Sequence, residues 1–109
     1  IFYMASGILG QVGISTASTN HTVYTVPAST LAVTNINILN RSASAATVRL
    51  AISASDTPVN AEYIEYEASL SAQGVLERTG VVINSSKNVV AYASTTDVSV
   101  AVYGIEESA

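Results

Sequence analysis

The chain has 109 residues, 49% of them hydrophobic and only 11% charged, with eight acids, four bases, one His, no Cys and no Trp. That length makes one domain that hides roughly 65% of its unfolded surface, enough for a modest core that folds without staples. A formal charge of −4 with Arg41, Arg49, Arg78 and Lys87 scattered argues against nucleic-acid binding, and the absence of Cys rules out disulfides and thiolate metal sites.

Typical globular domains carry about 25% charged residues, so polarity here must come from elsewhere. Fifteen Ser and eleven Thr supply it. Hydroxyls keep a surface wet without repelling a neighbour, which suits a chain packed against other copies. A soluble β domain with few charges is the plainer alternative.

Residues 1–20 read as an apolar N-terminal arm or first strand, and residues 21–109 as the folded domain. The opening Ile1 to Leu9 is apolar, but no base precedes it and Gly, Ser and Gln11 interrupt it well short of the ~20 residues of a membrane span, so neither signal peptide nor anchor is expected. Gly7, Gly10 and Gly13 alternate with Ile8, Leu9, Val12 and Ile14, which gives an arm able to dock on this domain or on a neighbour.

Fourteen Val, nine Ile and eleven Thr in short alternating runs are strand composition. A strand over His21 to Val26 ends at Pro27. In Leu31 to Leu39, Leu31 and Val33 share one parity and Ile36 and Ile38 the other, which predicts a bulge near Thr34 and Asn35. Asn40 to Ser44 reads as a loop. Thr47 to Ala54 alternates, with Val48, Leu50, Ile52 and Ala54 inward.

After Ser55 to Pro58, a strand begins at Glu62 with Ile64, Tyr66 and Ala68 expected inward and Tyr63, Glu65 and Glu67 outward. Ala72 to Gly74 turns into Val75 to Ile83, where Gly80 marks a bulge or a close backbone approach. Strands Asn88 to Ser94 and Val98 to Gly104 flank a hairpin-length loop at Thr95 to Asp97. Seven or eight short strands with no helix predict an all-β fold, a single antiparallel β-sandwich with an N-terminal arm.

Chemistry-bearing constellations are sparse. His21 has no acid near it in sequence, so it reads as a surface or subunit-contact residue rather than a catalytic one. Glu65 and Glu67, about 6.6 to 7 Å apart along a strand, overlap the carboxylate spacing of inverting glycosidases, but ion pairs to Arg49 or Arg78 are the preferred reading. Asp56 with Thr57 and Asn60, and Asp97 with Thr95, lack the regular acid spacing of calcium loops and read as turn formers. The sequons at Asn20, Asn40 and Asn84 carry no secretory inference in so Ser- and Thr-rich a chain, and the glycines precede any strong strand and so form no phosphate-cradling loop. No catalytic residue, metal or cofactor is expected.

Four segments in order, Leu9-Gly10-Gln11, Tyr24-Thr25-Val26-Pro27-Ala28, Asn40-Arg41-Ser42 and Val48-Arg49-Leu50-Ala51-Ile52, resemble a small β domain of tailed-phage virion proteins, notably in viruses of cyanobacteria. The likeness is clearest over residues 9–56, and Val100 to Glu106 is similar to that family's end. Ser29 stands where many relatives have Gly after Pro-Ala. The resemblance implies a non-enzymatic virion component, an oligomer with itself and other virion proteins in a tail, neck, fibre or capsid-decoration position.

The uncharged faces of the strands bearing Leu31 with Val33 and Val100 with Val102 add an expectation of edge pairing. Ile8, Leu9, Val12, Ile14, Val100 and Val102 are the assembly-contact candidates. The alternative is a receptor- or carbohydrate-binding module meeting a host-surface glycan, with Tyr24, Tyr63 and Tyr92 as stacking candidates.

Overall fold

A computed structural model describes residues 5–109, so the apolar opening Ile1 to Met4 lies outside the described residues. The chain forms eight strands: β1 (Ser6–Gly13), β2 (His21–Thr25), β3 (Thr30–Asn40), β4 (Ala46–Ser53), β5 (Tyr63–Leu70), β6 (Val75–Ile83), β7 (Asn88–Ala93) and β8 (Val98–Ser108). One 3₁₀ turn, Asn60–Glu62, precedes β5. The strands build two antiparallel sheets in the orders β1-β8-β3-β6 (sheet A) and β2-β7-β4-β5 (sheet B). The expected β-sandwich is thus present, and its strand order is that of the jelly roll, two Greek keys wrapped across two sheets.

Alternation explains the core. Ala32, Thr34, Ile36, Ile38 and Asn40 of β3 point inward with Val98, Val100 and Val102 of β8, opposite Ala46, Val48 and Leu50 of β4 and Val89, Ala91 and Ala93 of β7. These are small and branched aliphatic side chains for the most part, so the layer between the sheets fills with Tyr24 as its one buried aromatic among the described residues.

Several phases differ from the sequence expectation, each for a local reason. β3 runs in unbroken register with β8 from Thr30 to Asn40. The predicted bulge is opposite Asn35, on β6, where Gly80 takes φ 65 and its N–H donates to Asn35 Oδ1 at 3.2 Å. The Gly80 reading therefore holds, and Leu31 and Val33 lie on the outer face.

β5 departs from expectation in its middle: Tyr63 and Glu67 lie outward and Ala68 packs against the core as expected, while Ile64, Glu65 and Tyr66 are reversed. It carries two extra residues against β4, and Glu67 takes φ 52. These irregularities turn Glu65 inward, where it meets Arg78 of β6, and leave Ile64 and Tyr66 exposed. On β4, Val48, Leu50 and Ile52 face the core as expected, but Ala54 lies beyond the strand end and is exposed. The edge-pairing expectation also changes: β3 and β8 are the inner strands of sheet A and pair on both sides, so neither offers a free edge.

At one end of the sandwich the loops converge on Asn40, which is fully buried. Its Nδ2 donates to the carbonyls of Ser44 at 2.8 Å, Ser71 at 3.1 Å and Leu70 at 3.3 Å. Its Oδ1 accepts from Ser42 N at 3.0 Å and Ser42 Oγ at 2.9 Å. Next to it, Arg41 donates from Nε to Ser99 Oγ at 2.8 Å and from a terminal nitrogen to the Thr96 carbonyl at 3.1 Å.

At the closed side of the sandwich, β1 crosses β2 at Gly10. A Cβ there would sit 2.3 Å from the Val23 carbonyl oxygen, so only glycine allows the approach.

Two substitutions test this frame. Asn40→Ala leaves the Leu70 carbonyl, those of Ser44 and Ser71, and the Ser42 amide without their buried partner, and is expected to lower the unfolding free energy by about 2–4 kcal/mol in a urea titration. A change within measurement error would mean that the loops hold without the amide. Gly10→Ala is expected to cost about 1–3 kcal/mol and to expose the β1 amides to hydrogen exchange before those of β3, because the clash loosens β1 from β2.

Candidate functional site

The sequence candidates separate into buried and surface groups. Ile14, Val100 and Val102 lie in the core and Leu9 and Val12 pack against it, so as assembly contacts they are corrected: the sandwich itself uses them. Inward parity on β8, opposite the β1 positions, is the reason. Ile8 alone of the six is well exposed, at 58%, on the outer face of sheet A opposite Tyr103.

Tyr24 is likewise corrected as a stacking residue. It is buried, its hydroxyl donates to Glu106 Oε2, and burial first and then that carboxylate push its pKa far up. A ring enclosed in this way offers no face to a ligand.

Tyr63 and Tyr92 are brought together on the outer face of sheet B, with a third ring that the sequence reading placed inside, Tyr66. Arg49 of β4 projects between two of them, with Cζ 4.1 Å from the Tyr92 centroid and 4.6 Å from that of Tyr66. Its Nε donates to Glu67 Oε2 at 2.6 Å, and this bond is the main cause that holds the guanidinium protonated above its ordinary range. Tyr63 meets Tyr66 nearly edge-on, with centroids 5.0 Å apart and planes at 78°. Asn60 joins Tyr63 and Tyr66 in lining a concavity. The signal for Tyr66 was its place between two acids on an edge strand, where one extra residue reverses every side chain.

The loop before β5 folds back over sheet B. Glu62 Oε1 accepts from Val59 N at 2.9 Å and Ser53 Oγ at 2.9 Å, and Oε2 accepts from Ala54 N at 3.0 Å. The Val59 amide, then that of Ala54, then the Ser53 hydroxyl hold the Glu62 carboxyl below the usual glutamate range. This clasp fixes Asn60 relative to the rings.

No acid pair for glycoside hydrolysis forms. Glu65 faces inward to Arg78 and Glu67 outward to Arg49, the two partners expected from the sequence. His21 Nδ1–H donates to the Thr19 carbonyl at 2.9 Å and Nε2 accepts from Ser15 Oγ at 3.3 Å, with no carboxylate in the set. Among the described residues, no group of three or more His, Asp or Glu side chains could hold a metal ion, and no helix is long and apolar enough to cross a membrane.

The outer face of sheet A is different. Ile8, Val75, Val82 and Ile105 are exposed there, beside the half-buried Leu31, Val33, Leu39 and Tyr103 and the amides Asn35, Asn37 and Gln11. Its acids are Glu77, which accepts from the Tyr103 hydroxyl at 3.0 Å, and Glu107 at the strand end. The Glu77 bond, more than burial, raises the Tyr103 pKa.

No protein-family model, curated protein or solved structure matches the chain.

The clasp predicts a pH response with a defined sign. Because the folded pKa of Glu62 is depressed, its contribution is present above the ordinary glutamate value of about 4.3 and is lost as pH falls through the lower folded value. In an NMR titration, the Val59 and Ala54 amide shifts are expected to move together with a midpoint below that ordinary value. A midpoint at the ordinary value would show that the clasp does not form, and Glu62→Gln is expected to abolish the transition.

Proposed function

We propose that the chain is a non-enzymatic structural subunit of a phage virion, assembling with itself and with other virion proteins in a tail, neck, fibre or capsid-decoration position. The observation that carries the assembly reading is the outer face of sheet A. Four large apolar side chains are exposed on one sheet surface, with Val82 at 59% and Ile105 at 46% opposite and next to Val33. A sheet face that exposes large apolar side chains among neutral amides, with few charges, marks an interaction site more often than a solvated face.

Two further points support the reading. The ordered likeness to tailed-phage virion domains names the setting. Jelly rolls recur in viral capsid and lectin domains, an association at the level of fold alone. The contact set in this reading is Ile8, Val33, Val75, Val82 and Ile105. Edge-to-edge pairing through β5 or β6 is disfavoured, since the bulges in both strands distort the edge a partner would have to match.

Sedimentation velocity over a concentration series is expected to show an oligomer for the native chain and a monomer for Val82→Lys/Ile105→Lys, with the unfolding midpoint little changed because both positions are exposed. A native chain that stays monomeric at about 1 mM, where even weak association populates, would overturn the assembly reading. Antibody against the chain is expected to decorate intact particles of a phage that encodes it, and purified particles lacking the chain would overturn the virion setting.

A further inference from the structure

We infer that the corner between Tyr63, Tyr66 and Asn60 on the outer face of sheet B is a binding site for a neutral pyranose sugar. The three residues line a concavity of about 460 Å³, within the size range of small-ligand sites. Two aromatic walls at 78° give a right-angled corner. A pyranose can lay its C–H face against one ring and its edge against the other, while the Asn60 amide offers two N–H donors and a carbonyl acceptor to the hydroxyls.

The corner is preorganised, which distinguishes it from rings that merely lie on a surface. Tyr66 is 59% exposed, yet Arg49 packs over its ring and is itself held by Tyr92 and Glu67. Asn60 lies in the 3₁₀ turn whose carboxylate, Glu62, is fixed by three donors. Such a site loses little side-chain freedom on binding. The ring contributes nothing to the core, because the extra residues of β5 turn it outward while Glu65 takes the inward place.

Charge selects the class of sugar. Arg49 is neutralised by Glu67 and Glu65 by Arg78, while Glu62 has its oxygens occupied. The cation that packs on the rings, Arg49, is already paired with Glu67, and Lys87 acts on the Glu62 carboxylate, so neutral hexoses fit the corner better than sialic or uronic acids. The opposite sheet carries the proposed assembly face, so both surfaces can be occupied at once and this inference stands independently of that reading.

The test is an NMR titration of the ¹⁵N-labelled full chain with the methyl glycosides of galactose, glucose and mannose, with N-acetylglucosamine, and with N-acetylneuraminic acid as the charged comparison, each to about 50 mM. At least one neutral sugar is expected to shift the amides of Asn60, Tyr63 and Tyr66 with a Kd of about 1 mM. Tyr66→Ala is expected to weaken that binding about tenfold, Tyr66→Phe to preserve it, and Val82→Lys on sheet A to leave it unchanged. Because Tyr66 is exposed, a native-like spectrum of Tyr66→Ala shows that the variant folds, and Asn60→Ala, expected to weaken binding severalfold, gives a second reading. Absence of shifts at these residues with every neutral sugar, binding that survives Tyr66→Ala, or binding of the acidic sugar alone would overturn the inference.

Discussion

A primary amide in an apolar interior is costly unless each of its hydrogen-bonding positions is filled, and Asn40 fills them with groups from two separate segments. The ladder of sheet A sets β3 against β8 and β6, but it does not say where the chain goes after Asn40. The side chain does, by reaching Ser44 in its own loop and Leu70 and Ser71 at the end of β5 on the other sheet. Arg41 extends the same junction to the β7–β8 loop. Two adjacent residues therefore bind three of the connections that wrap one sheet onto the other. At the other side of the sandwich, the backbone approach of Gly10 to Val23 plays a comparable part.

How far the fold was legible in the sequence depended on whether the signal was local. β4 has a clean period-two pattern and neighbours on both sides, so its apolar parity reads directly as the core face; Val100 and Val102 of β8 share a face too, but nothing local says that this face is covered by the second sheet rather than by a neighbour. β3 was misread in phase because Leu31 and Val33 are apolar on an outer face, a choice that only the surface of the assembled sheet explains. Its supposed irregularity belonged to β6 and was announced there by Gly80. Ser29 shows a related point: it adopts φ 55, a left-handed conformation that favours glycine, and nothing in the local sequence announces it.

β5 was the least legible strand, and the site stands on it. From Tyr63 to Ala68 simple alternation puts Ile64, Tyr66 and Ala68 on one face and both acids on the other, so a period-two reading places the apolar face inside, and the bulges overturn it at Ile64 to Tyr66. The decision rests on non-local facts: an edge position that tolerates extra residues, and Arg78 on β6 to receive Glu65. A carboxylate turned toward the sandwich interior is affordable only with such a partner. The same inversion that hides Glu65 exposes Tyr66 and aims Glu67 at Arg49, so one local irregularity sets the ion pair across the sandwich and the aromatic cluster outside it. Tyr63 and Tyr92 were named from residue type alone. Their meeting place required the register.

The sparse charge has a sharper meaning in three dimensions than in composition. Of twelve charged residues, Arg41, Arg49, Arg78, Glu62, Glu65, Glu67, Glu77 and Glu106 all donate to or accept from other parts of the chain. Charges so engaged pin loops, edges and rings, and contribute less to the long-range repulsion that keeps molecules apart. The outer face of sheet A is left with hydroxyls, amides and branched aliphatic side chains. A partner approaching it has few ions to desolvate, which removes the largest penalty against burying a polar surface. Sheet B, where Arg49 and Glu67 hold the aromatic cluster, lacks that advantage for a flat protein partner but offers a rigid corner to a small one.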